Sequence, residues 1–281
     1  MDFRAMLGGL PDTDHRATRD AARDTEHETL VQAWRQARER RLRADDGWLT
    51  LVDRILLEPG DNALPFGLVT LDGDEARLRV HPGLAVTSEG RPVADAVLHP
   101  REGERSQTLS FDGRTYELYR RGDTVAVRVK DPRSPALRQF TGLSYFAIDA
   151  AWRVTARFQR YVPPRTTVHQ LDVGPSGPRQ VPGLAHFSIA GIELSLEPIL
   201  EEDAGRLFIV FADRTTGKET SPAGRFLYVD LPGPDDAVVL DFNLAFNPPC
   251  AFTAFATCPI PPARNRLPVA VTAGEKDYHL P

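Results

Sequence analysis

Apolar residues follow two different periods along this chain. Between Thr25 and Gly47 they recur with helical spacing: Leu30, Val31, Trp34, Ala37, Arg38 and Leu42 fall at i, i+1, i+4, i+7, i+8 and i+12. That spacing predicts one helix with a single buried stripe. Thr25 stands three residues before Glu28, the spacing of a capping box, so the helix is expected to begin there. Gly47 supplies a stop. Arg35, Arg40 and Arg41 lie off the stripe among interleaved acids, which reads as a solvated face. Residues 1–24 are polar without a clear period and are expected to form a loosely held arm or a short helix.

From Trp48 onward the period is two. "WLTLVDRILL", "LVTLDGDEARLRV", "QTLSFDGRTYELYRRGDTVAVRVK" and "AHFSIAGIELSLEPI" are short β-rich runs. Asp-Gly, Gly-Asp and Ala-Gly turns separate their strands, the signature of a sandwich or barrel. Strands do not alternate with helices and no dinucleotide-type GxGxxG occurs, which disfavours a doubly wound fold. The expected fold is mainly β: an N-terminal arm and helix (1–47), a sandwich-like unit (48–135) and a barrel-like unit (136–281). "DPRSPALRQFTGLSYFAID", with two prolines and little alternation, marks the boundary.

Composition narrows the function classes. The chain has 281 residues, 41% hydrophobic and 26% charged, with a net charge of −5. These are globular values, and the acidic balance argues against nucleic acid. No apolar run reaches membrane-helix length, and the charged N-terminal stretch has no signal-peptide core, so a cytoplasmic protein away from membranes is expected. Nothing calls for a cofactor, and the oligomeric state is left open.

The unusual stretch is "DFNLAFNPPCAFTAFATCPIPPARNR", residues 241–266. Leu240, Phe242, Leu244 and Phe246 alternate with Asp241, Asn243, Ala245 and Asn247. As a strand it would turn the first set to a core and present a carboxylate and two amides on the other face. Pro248 and Pro249 then end the ladder. Cys250 and Cys258 allow a metal site (with His279 as a further ligand), a disulfide, a catalytic thiol or simple packing. Packing is the preferred reading, and no metal is expected. Leu267, Val269 and Val271 predict a last strand, flanked by Asn265 and Arg266 before it and Glu275 and Lys276 after it. A second polar loop carries Arg214, Lys218, Glu219 and Arg225, a set that could clamp an anion.

The combination "TTGKETSPAGRFLYVD … VVLDFNLAFNPPCAFTAFATCPIPPARNRLPVAVTAGEKDY" resembles a family of bacterial and archaeal proteins known as DUF1684. The likeness extends from about residue 30 to 278. The motif falls on Gly217, Lys218, Glu219, Gly224, Arg225, Asp241, Asn243, Asn247, Pro248, Pro249, Cys250, Cys258, Pro259, Asn265, Arg266, Gly274, Glu275 and Lys276. The resemblance marks a site and implies no settled activity. Ser221 stands where the family commonly has Tyr, and the N-terminal unit lacks a phosphopeptide-reading signature.

Two functions compete. In one, a C-terminal pocket binds or modifies a small anionic ligand held by Lys218, Arg225 and Arg266. Asp241 is then the catalytic acid/base, Asn243 and Asn247 orient the ligand, and Glu219, Asn265, Glu275 and Lys276 complete the site. In the other, the protein is a non-enzymatic interaction module. Its polar motif is structural, with Asp241 paired to Arg225 or Arg266. An open cavity at these side chains favours the first; protein contacts filling the space favour the second.

Overall fold

The computed structural model describes residues 13–100, 107–171, 174–201 and 205–278. It is mainly β, led by one long helix, α1 (Thr13–Leu42). The helix begins twelve residues before the expected capping box, and Thr25 lies inside it. Its buried face also differs from the expected stripe. Leu30 is 62% exposed and Ala37 is exposed, whereas Val31 and Leu42 are buried and His27, Trp34, Arg35 and Arg38 are half-buried. Those six positions keep helical spacing. Two arginines occupy places that a hydrophobic pattern assigns to apolar side chains, because what α1 covers is polar and aromatic.

The first β unit contains β1 (Leu51–Leu57), β2 (Gly60–Leu64), β3 (Gly67–Asp72), β4 (Glu75–Val80), β5 (Val86–Ser88), β6 (Arg91–Val93), β7 (Asp95–Leu98), β8 (Thr108–Phe111), β9 (Arg114–Arg121) and β10 (Thr124–Lys130). They form a six-stranded sheet, β1-β10-β9-β8-β5-β6, and a four-stranded sheet, β2-β3-β4-β7, all neighbours antiparallel. Alternate residues of both sheets enter one core around Phe66, Leu78, Leu118 and Val127, the arrangement of a sandwich. The expected turns are where the hairpins close, at Asp112-Gly113 between β8 and β9 for example.

A short connection follows. Ser134 caps α2 (Pro135–Gln139) by accepting from Leu137 N, and its hydroxyl donates to Leu49 O. The second unit contains β11 (Arg153–Leu171), β12 (Gly174–Ile189), β13 (Ile192–Leu196), β14 (Ile199–Glu201), β15 (Arg206–Phe211), β16 (Arg225–Asp230) and β17 (Ala237–Asp241). These form the sheets β13-β12-β11-β17 and β14-β15-β16, and neither unit closes into a barrel. β15, "RLFIVF", is buried from its second residue on, with Leu207, Ile209 and Phe211 in one core and Phe208 and Val210 in another. A continuous apolar run is what a strand covered on both faces requires.

Two expected strands are absent. β17 stops at Asp241, because the Asp241 side chain accepts from Asn243 N and turns Phe242–Leu244 into a 3-10 helix. Local Asx capping overrides the alternating pattern. The segment Leu267–Val271 bends at Pro268 and Val269 and forms no strand; its backbone meets the Ala212–Arg214 backbone only at separate points, Leu267 N donating to Ala212 O at 2.8 Å and Arg214 N to Val269 O at 2.9 Å, and Pro268 brings no donor to a ladder.

Candidate functional site

Part of the family-like motif gathers beneath α1, and its centre is Glu275. Gly274 precedes it with φ +79°, and a Cβ there would meet Ala245 O at 2.4 Å and Phe242 O at 2.8 Å. Only glycine permits that approach. The backbone therefore carries Glu275 inside, where it is completely buried. Its Oε1 accepts from Arg38 Nε at 2.9 Å and its Oε2 from Asn247 N at 2.7 Å. Arg38 also donates through Nη2 to Asn247 O at 3.0 Å. Burial raises the Glu275 carboxyl above its usual value, opposed mainly by Arg38 and then by the Asn247 N–H.

Aromatic rings form the shelf on which the helix arginines lie. Arg38 sits 4.9 Å from the Phe246 ring centroid and 5.4 Å from that of Phe252. Arg35 sits 4.4 Å from the Tyr145 ring and donates to Phe146 O. Burial, then Glu275, pushes the Tyr145 phenol upward. Three buried polar atoms here have no hydrogen-bond partner among the described residues: Arg35 Nε, Tyr145 Oη and Asn247 Oδ1.

A second contact fastens the earlier part of α1. His27 Nε2 donates to Asp241 Oδ2 at 2.6 Å, while Arg153 Nε lies 4.0 Å from the same oxygen. The expected partners Arg225 and Arg266 do not reach Asp241; its ring partner comes from 214 positions away. Asn243 is fully buried, bonding Asp241 Oδ1 and both the N–H and the carbonyl of Asp149.

Arg225 belongs to a separate buried knot. Gly224, at φ +82°, packs against Phe211 O and Pro261, where a Cβ would sit 2.5 and 2.6 Å away. The adjoining Arg225 is fully buried. It donates to Asp213 Oδ2 at 2.8 Å, to Val271 O at 2.8 Å and to Ala273 O. The other Asp213 oxygen holds Thr215 N, Thr215 Oγ1 and Val271 N. Asn265 works likewise as a backbone staple, bonding both polar groups of the Glu197 main chain and Val210 O. Lys218 and Glu219 are exposed on the tight Thr215–Thr220 turn, and Lys276 lies over the Phe146 ring at 4.8 Å.

The structure thus scatters the sequence-derived site. Asp241, Asn243, Asn247 and Glu275 come together under α1; Arg225 and Asn265 hold other joints; Lys218, Glu219 and Arg266 face outward. Four cavities lie away from Glu275. One of about 180 Å³ is lined by Cys250, Cys258, Pro261 and Arg266, and one of about 230 Å³ by Thr167, Glu197 and Ile260. A third, of about 160 Å³, opens beside Trp48 and Arg121, and a fourth, of about 510 Å³, lies over β3, β4 and β7. Of the site residues expected from the sequence, these four cavities take in Arg266 alone. Cys250 and Cys258 are not bridged, and the Cys258 sulfur accepts from Cys250 N at 3.1 Å. Among the described residues no group of His, Cys, Asp and Glu could hold a metal ion; His279 lies outside them.

Sequence reasoning missed His27, Arg38 and Asp213. Arg38 was legible only as a member of the helix stripe; His27 and Asp213 carried no local signal.

Fold and site together define a mainly β protein whose buried polar residues hold a helix against the end of β17 and the irregular segments around Phe146, Asn247 and Glu275. Residues 138–276 match the family model described as "Protein of unknown function (DUF1684)", and the chain belongs to that family. The match takes in the second β unit and leaves α1 and the first β unit outside it. Among solved structures, the chain is similar to an uncharacterized protein of Haloarcula marismortui determined by solution NMR. The two are 32% identical over 52% of this chain and 82% of that one, with a TM-score of 0.43. No curated protein matches. No helix among the described residues is long and apolar enough to cross a membrane.

Proposed function

We propose that this protein is a non-enzymatic binding module whose family motif is a framework rather than a reaction centre. The observation that carries this reading is the fully buried Glu275, held by Arg38 of α1 and by Asn247 N. A carboxylate that is fully buried with both oxygens engaged is poorly placed to reach a substrate. Asp241 is similarly occupied by His27 and Asn243. A small anionic ligand would bind away from Asp241 and Glu275.

The test compares Asp241→Ala and Glu275→Gln with the parent protein by amide hydrogen exchange and by mass spectrometry of co-purifying small molecules. As a framework, the motif should lose exchange protection along α1 in both variants. Unchanged protection, together with loss of a co-purifying ligand, would overturn the reading in favour of a motif-centred site.

A further inference from the structure

The cavity of about 160 Å³ lies where the two β units meet. Trp48 from the turn before β1 and Arg121 from the end of β9 line it on one side. Arg179 of β12, Phe208 of β15, Phe226 of β16 and Thr257 line it on the other. We propose that this cleft binds a small organic anion: a carboxylate carried on a flat apolar body the size of one aromatic ring.

Charge is the first argument. Arg121 Nη1 donates to Thr257 O at 3.1 Å and Thr257 Oγ1 at 2.5 Å, which fixes the guanidinium. Among the described residues no carboxylate comes within ion-pair distance of it. Its charged neighbours are Arg128 and Arg179, both cations, and Arg128 has Glu117 at 3.5 Å where Arg121 has no equivalent. Arg179 and Glu201 line the cleft as well. A guanidinium has five N–H donors in a planar fork and keeps its proton, so a half-buried one without a counter-charge is relieved by an incoming anion rather than by deprotonation. Burial, followed by Arg128, pulls Arg121 below its usual value, in agreement with that unmet charge.

Shape and lining give the second argument. Phe208 and Phe226 meet edge to face, with ring centroids 4.9 Å apart, and Trp48 lines the same cleft. Such walls favour an apolar planar body over a fully hydrated inorganic ion. A cavity of about 150 Å³ accommodates benzene, so the space suits one ring. Thr257 and Pro259, in a part of the motif that plays no role beneath α1, supply the fixed edge. The inference goes beyond the framework reading: either can fail while the other stands.

The test is isothermal titration calorimetry on the full chain with benzoate, benzamide and inorganic phosphate. Benzoate is expected to bind, with benzamide and phosphate each at least tenfold weaker. Arg121→Met and Arg121→Lys should both weaken benzoate at least tenfold, since lysine keeps the charge but loses the fork. The lysine variant preserves a test if the methionine variant does not fold, and the remote, exposed Arg77→Ala should match the parent. Absence of benzoate binding overturns the proposal. So does benzamide binding equally (an apolar hole), phosphate binding equally (a general cationic patch), or an unchanged affinity in Arg121→Lys.

Discussion

Arg38 Nε lies 2.9 Å from Glu275 Oε1, an ion pair that spans 237 positions of sequence. The glutamate is wholly buried, and the arginine side chain is 12% exposed. Removing one partner of such a pair leaves the other desolvated and unmatched, at about 3–5 kcal/mol. Arg38→Met should therefore lower stability by that amount in urea unfolding. Arg38→Met/Glu275→Leu should recover part of the loss. Equal stabilities for the single variant and the parent would sink the assignment.

Glu275 also sets a pH dependence. Burial raises its folded value, so the native protein holds the proton more tightly than the unfolded chain. Its contribution is complete below the unfolded carboxylate value, about 4.3, and is lost as pH rises through the raised folded value. Unfolding free energies of the parent and Glu275→Gln, taken from pH 7.5 downward, should show the parent gaining on the variant until about pH 4, then levelling.

Asp131 has the opposite sign. The Arg133 N–H, then the Arg133 and Arg114 side chains, outweigh burial and lower it to about 2. Its stabilisation is present above the unfolded value of about 3.9 and disappears as pH falls toward about 2. The difference in urea midpoint between the parent and Asp131→Asn should be constant at pH 5–7 and shrink below about pH 4.

Arg225→Lys tests the second knot. Lysine cannot span Asp213 Oδ2 and the carbonyls of Val271 and Ala273 at once. A loss of about 3 kcal/mol or more is expected in chemical denaturation, with Asp213 left buried. A loss within experimental error would show that the knot does not stabilise the fold.

The cysteines yield a direct count. Thiol titration under denaturing, non-reducing conditions should find two thiols. In the native protein the half-buried Cys250 should react before the buried Cys258.

The sequence by itself determined the elements that depend on near neighbours. Period-two apolar spacing and turn dipeptides were enough to predict the hairpins, since strand faces alternate whatever lies opposite. The doubly apolar "RLFIVF" shows the same rule at work in a strand with two covered faces. Gly224 and Gly274 were visible as motif residues, though their reason, backbone approaching within a Cβ's reach, was not. Tertiary structure alone decided what the polar residues touch. The face of α1 could not be read because spacing put Arg38 on the stripe as though against an apolar core and set Arg35 among the solvated residues. Arg38 instead lays its stem and guanidinium on Phe246 and Phe252 and meets a buried carboxylate. Asp241 read as a strand residue with free chemistry because its partner, His27, lies in a distant segment. Local spacing reports which residues leave water; which charge compensates another after burial is settled only when remote segments pack together.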